Sequence, residues 1–394
     1  MNLRPGRLVF LLAALTAFVP LSIDAYLPAL PSVALELRVN GVQVQSTISV
    51  FLIGLCLGML LCGPLSDRYG RRSLLLVGIV LYLLATLVCM AAEDTRQLIV
   101  GRFVQAIGAA AAAILARTIV RDLFALREAA RILSLMHVVT MVATCLAPIL
   151  GSLLLNWQGW RSIFFSLMVF SAACLVAVIW RLDESLTPEN RKCSVLTAFS
   201  SYRQLLGEPL ALAYAGCMGL SLGGMFTFMT ASPFVYMNYF NVSPEMYALL
   251  IAINILGVIV MTLLNARFVP RFGPRSMLAA GVLLTLLSCV GLVFFALSGI
   301  GGLPLLVALV VVYVGATGLF GVNCIASLMA AYPTKAGAAA GLAIASQFAL
   351  GALGGFVISI MDDATPMSMC LLVAAAGFGS TLCYGLIRML EGNR

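Results

Sequence analysis

One acid interrupts a long apolar stretch near the start of this 394-residue chain. Asp24 stands in the window Leu8 to Leu30, and placing an ionisable group at the centre of a membrane helix costs about 3 kcal/mol on the insertion scale. A side chain kept at that cost marks function. Arg102, in the window Leu98 to Ala116, is its natural counterpart. Read as helices rising about 1.5 Å per residue, an outward span carrying Asp24 near its end and an inward span carrying Arg102 near its start bring both groups within about 9 Å of one membrane face. Two readings are open. The pair can be a buried ion pair that holds two helices together. Alternatively either residue takes part directly in proton or substrate binding, because a carboxylate that alternates between arginine and a hydrated cavity changes its proton affinity. Tyr26, close to Asp24 along the chain, is the aromatic candidate for the same site.

The elements that position these groups follow from composition. Hydrophobic residues make up 62% of the chain and charged residues only 10%, against roughly 25% charged in a soluble domain. Mean hydropathy is +1.09. That excludes a soluble globular protein, and no polar stretch is long enough for a membrane-anchored enzyme domain. The net charge of +8 comes from scattered arginines without a basic run, so nucleic acid is not an expected partner. Eleven cysteines lie mostly within apolar runs. None has the spacing of a metal site, and no nucleotide-binding loop is present, so no metal or cofactor is expected. Arg4 and Arg7 before an apolar segment imitate a signal peptide. Leu8 to Leu30 is too long for one and carries Asp24, so it reads as a retained first helix.

Twelve apolar windows are predicted, each close to the ~20 residues that span a bilayer. Six run at 8–30, 44–62, 73–92, 98–116, 132–155 and 162–180. Six more run at 210–233, 247–265, 276–297, 305–329, 336–361 and 367–389. Nineteen Lys and Arg fall in one set of alternate loops, including Arg181, Arg191, Lys192, Arg203 and Arg394, whereas Arg38, Arg96 and Arg161 occupy the other. By the positive-inside rule both termini and the middle loop are cytoplasmic. The expected organisation is an N-terminal six-helix bundle over 1–181, a cytoplasmic connector over 182–208 and a C-terminal six-helix bundle over 209–394. Self-similarity supports duplication. Asp67-Arg-Tyr-Gly-Arg-Arg-Ser73 after the second window and Pro270-Arg-Phe-Gly-Pro-Arg-Ser276 after the eighth match at Arg, aromatic, Gly, Arg and Ser. The acid is present only in the first copy.

That first copy lies within Gly63-Pro-Leu-Ser-Asp67-Arg68-Tyr-Gly70-Arg71-Arg72. Here a helix is expected to end, turn and restart. Gly63 and Gly70 supply the tight backbone, and Asp67 among arginines supplies a charge network. An ordinary positive-inside loop needs the arginines but neither the acid nor the glycines. The segment resembles the signature G-x-L-x-D-R-x-G-R-[KR] of the major facilitator superfamily, matched at every fixed position. The resemblance implies an all-α membrane protein with twelve transmembrane helices in two six-helix bundles, and it implies that Asp67 acts as a conformational latch on the cytoplasmic side.

Two further elements narrow the likeness. Arg102-Phe-Val-Gln105-Ala-Ile-Gly108 is similar to the R-x-x-Q-G-x-G element of drug/proton antiporters, and Ala147-Pro148-Ile-Leu-Gly151 to their G-P-x-x-G element. Alanine replaces a glycine in each, so helix packing is expected to survive. Ser22 to Pro31, Gly159-Trp-Arg-Ser-Ile-Phe164 and Met225 to Tyr236 together resemble the bicyclomycin resistance (Bcr/CflA) group. That group implies proton-coupled efflux of small drugs or metabolites from a bacterial inner membrane. Membrane lipid as a further partner and a monomeric working state are separate expectations. A proton-coupled importer of the same fold is the alternative. His137, the single histidine, reads as a hydrated interfacial residue rather than a relay. Asn254, Asn323 and Gln347 each line a cavity or bond across a helix interface.

Overall fold

The computed structural model describes residues 5–186, 196–361 and 365–392. Arg4, Arg191, Lys192 and Arg394, used above for orientation, lie outside the described residues. Every regular element among the described residues is helical. The first apolar window is not one helix. It divides into α1 (Pro5–Thr16), α2 (Phe18–Asp24), a short 3-10 turn (Leu27–Ala29) and α3 (Leu30–Glu36).

The proline spacing explains the breaks. A proline cannot donate to the carbonyl four residues earlier, and its ring crowds that carbonyl. Pro20 acts in this way on Thr16, where α1 ends, and Pro28 on Asp24, where α2 ends. The acid therefore sits at a helix terminus inside the apolar layer rather than on a continuous helix. Five uninterrupted crossings follow: α4 (Gly41–Tyr69), α5 (Arg71–Met90), α6 (Thr95–Leu123), α7 (Leu126–Gln158) and α8 (Arg161–Arg181). Tight turns join them. Asp94 caps α6 by accepting from Gln97 N at 2.8 Å, and Gly159 ends α7 with φ 75°.

The later crossings follow α9 (Leu196–Leu206). They are α10 (Pro209–Pro233), continued by a π-helical turn over Phe234–Tyr239, then α11 (Pro244–Ser298), α12 (Gly302–Ala331), α13 (Ala336–Met361) and α14 (Pro366–Gly392). Ser243 caps α11. Among the described residues, eleven helical stretches are long and apolar enough to cross a membrane. The 55-residue α11 is two crossings broken at Gly273, where φ is 78° and ψ is 161°, so the passes number twelve. Cα packing divides the chain into two compact units, residues 1–39 with 50–196, and residues 40–49 with 197–394. In the second unit, Tyr214, Cys217, Phe320, Cys324, Leu328 and Ala343 are among the buried core.

Candidate functional site

Asp24 is 3% exposed, and its Oδ1 is buried without a hydrogen-bond partner. Gly151 holds the backbone there. A Cβ on Gly151 would overlap the carbonyl oxygen of Ala25, so the element Pro148 to Gly151 in α7 packs directly against the break that carries the acid. Gly108 serves α6 in the same way, since a Cβ would lie 2.7 Å from Tyr82 N of α5.

Arg102 is completely buried, and it does not pair with Asp24: among the described residues no ion pair joins them. Its Nη1 donates to Gln105 Oε1 at 2.8 Å. Gln105 Nε2 in turn donates to Thr86 Oγ1 at 2.8 Å, and Thr86 donates to the Tyr82 carbonyl at 2.7 Å. Tyr82 OH lies 2.7 Å from Ser22 Oγ in α2, which ties the network to the broken first pass. Aromatic rings surround the guanidinium. Its carbon lies 4.1 Å from the centroid of Phe51, 4.8 Å from Tyr26 and 6.0 Å from Phe164, where cation–π attraction offsets part of the lost hydration. Gln105, expected as a packing residue, is thus the hydrogen-bond partner that orients Arg102, and Tyr26 touches Arg102 rather than standing apart as a lone aromatic.

Gly159 to Phe164 buttresses this site. Trp160 Nε1 donates to Glu36 Oε2 at 2.7 Å, Arg161 Nη1 pairs with Glu36 Oε1, and Arg161 Nη2 donates to the Ala92 carbonyl at 2.9 Å. These contacts fasten α3 to α8 just above Phe164, whose ring stands 5.5 Å from that of Tyr26. Sequence reasoning missed Glu36 and Phe51. The signal for Glu36 was its charge at the end of an apolar window. Phe51 had none beyond aromaticity.

The signature loop differs from expectation in one respect. Gly63 does not form a turn: α4 continues through Gly63 and Pro64 to Tyr69, and no neighbour would contact a Cβ at Gly63. The whole reversal is made by Gly70, at φ 97° and ψ 150°. Arg71 is the hub. Its Nη1 lies 2.6 Å from Asp67 Oδ1, its Nε 3.0 Å from Asp122 Oδ2, and Nη1 also reaches Ser66 Oγ. Glu184 caps the start of α5, accepting from Arg71 N at 2.8 Å and Arg72 N at 3.2 Å. Arg72 Nη2 donates to the Ile179 carbonyl at 3.0 Å, and Arg68 stacks over Tyr69. Asp122 and Glu184 escaped the sequence reading because each lies far from the loop along the chain.

The second unit buries amides. Asn323 Nδ2 donates to Asn265 Oδ1 at 2.8 Å, a bond across α11 and α12, which decides Asn323 as an interface residue. Asn254 is buried with neither amide atom partnered, and Gln347 is half-buried. His137 is exposed on α7.

The comparisons with known proteins follow the same lines. The sequence profile of the Major Facilitator Superfamily matches residues 12–358. An MFS-type transporter of Bacillus subtilis strain 168, YdgK, is 32% identical over 98% of this chain and 96% of its own. A bicyclomycin resistance protein homolog of Haemophilus influenzae is 29% identical over 98% and 97%, and the multidrug resistance protein MdtL of Citrobacter koseri 29% over 72% and 74%. Among solved structures, the xylose transporter XylE from E. coli superposes with a TM-score of 0.71 at 17% identity, covering 95% of this chain and 97% of that one. The nucleoside transporter NupG gives 0.74 at 15%, covering 97% and 99%. With the signature loop formed, the twelve passes present and the profile spanning most of its length, the chain belongs to the Major Facilitator Superfamily, whose members are transporters and not enzymes.

Proposed function

We propose that this protein exports small drugs or metabolites across a bacterial inner membrane in exchange for protons, by alternating access. The observation that carries the reading is Asp24: an acid at a proline-made helix end inside the apolar layer, with an oxygen that no protein group satisfies. A group in that position can take its partner from the transport cycle, first a proton and then a substrate or water. Likeness to a bicyclomycin resistance protein homolog and to MdtL supports export of antibiotic-sized molecules. An inward proton moving through about 100 mV releases about 2.3 kcal/mol, enough to drive a several-tenfold gradient of a neutral substrate.

In this reading both termini and the connector at 182–208 face the cytoplasm, the halves 1–181 and 209–394 move about the substrate, and the chain works as a monomer in contact with lipid. Asp67 and its arginine network form the cytoplasmic latch. The test is growth of an efflux-deficient bacterial strain expressing the protein across an antibiotic panel, followed by drug accumulation with and without a protonophore. Export lowers accumulation only while the proton gradient stands. A proton-coupled importer raises it instead.

A further inference from the structure

We infer that the buried, unpartnered edge of Arg102 is a carboxylate-binding subsite, so that the favoured substrates are small, flat organic acids. This rests on the transport reading above and names the substrate class of the same site. Three sides of the guanidinium are occupied. Phe51 and Tyr26 lie against it at 4.1 and 4.8 Å, and Nη1 is bonded to Gln105 at 2.8 Å. Gln105 is itself fixed by Thr86, so the guanidinium does not rotate freely. The remaining nitrogens, Nε and Nη2, are buried without a hydrogen-bond partner. Those two form the side-on fork of arginine, a pair of parallel donors that matches the two oxygens of one carboxylate.

Asp24 does not fill the fork, since no ion pair joins the two residues and its own Oδ1 is unpartnered. A buried cation with two unsatisfied donors favours an anionic acceptor far more than a neutral one. A primary amide of the same shape offers one acceptor and turns its own donors toward the fork. The surrounding rings of Tyr26, Phe51 and Phe164 suit a planar body beside the acid.

The experiment compares 2-naphthoate with 2-naphthamide, titrated against the purified full-length protein in detergent by calorimetry and by shift of the unfolding temperature. The wild type is expected to bind the carboxylate at least tenfold more tightly than the amide. Arg102→Lys keeps the charge but not the fork and should lose that preference. Gln105→Leu keeps the guanidinium but frees it to turn, and should reduce the preference even if the lysine variant does not fold. Equal binding of both probes by the wild type, or an unchanged preference in Gln105→Leu and Arg102→Lys, overturns the inference. Proton-coupled export of a neutral drug alongside equal probe binding removes this subsite and leaves the transport reading standing. Carboxylate-selective binding without proton-coupled export does the reverse.

Discussion

The turns at 67–73 and 270–276 share a backbone and differ in charge. Gly70 adopts φ 97° and ψ 150°, Gly273 φ 78° and ψ 161°, and in each the preceding arginine stacks over the next aromatic, Arg68 over Tyr69 at 5.2 Å and Arg271 over Phe272 at 5.3 Å. Two prolines separate the copies: Asp67 corresponds to Pro270 and Arg71 to Pro274. The first turn therefore carries a buried arginine held by Asp67 and Asp122. In the second, Arg275, 70% exposed, reaches Glu391 at 3.1 Å, an acid that also accepts from Tyr214 OH at 2.7 Å. Buried polar side chains differ as well: the first half buries Asp24 and Arg102, and the second buries the Asn265–Asn323 amide pair. The two turns share a geometry, and among the described residues the buried arginine with two acid partners belongs to the first.

The contrast is broken or sharpened by substitution. The largest effect is expected at Asp24→Asn, which should abolish proton-driven transport at a normal protein level, whereas Asn323→Ala should lower stability by about 1–2 kcal/mol and leave transport coupled. Flux in cells beside the unfolding temperature of purified protein separates the two. Arg71→Ala strands partly buried carboxylates and should cost about 2–4 kcal/mol. Gly70→Ala and Gly273→Ala should each cost about 1–3 kcal/mol, because both turns need a backbone conformation essentially reserved for glycine. Unequal costs would contradict a shared turn. Asp67→Asn should slow turnover several-fold while substrate affinity stays near normal, with cysteine accessibility from the cytoplasmic side increased. Lost affinity at unchanged accessibility would count against the latch. Arg275→Ala, at an exposed pair, should cost under about 1 kcal/mol.

Much of this architecture was legible from hydropathy, because a membrane span must satisfy its own backbone and therefore declares itself as a long apolar run. The turn was legible because only glycine tolerates its φ. The break at Asp24 was present in the sequence as Pro20, Pro28 and Pro31, yet a hydropathy window registers proline as apolar and passes over it. The Arg102 surroundings were not readable: Phe51 and Phe164 reach it from two other helices and Thr86 reaches its partner Gln105 from a third, and nothing in their local sequence distinguishes them from aromatics and threonines that face lipid. Asp122 and Glu184 converge on Arg71 from 51 and 113 residues away, a separation no local motif spans.

Coupling of proton movement to export through Asp24 is read out by proton flux. In proteoliposomes holding a pH-sensitive dye, an antibiotic to which the growth panel shows raised tolerance is added on one side. The wild type should move protons against the antibiotic on its addition, and Asp24→Asn should bind the antibiotic without moving protons. Antibiotic-induced proton flux of wild-type size in the Asp24→Asn protein would contradict the account.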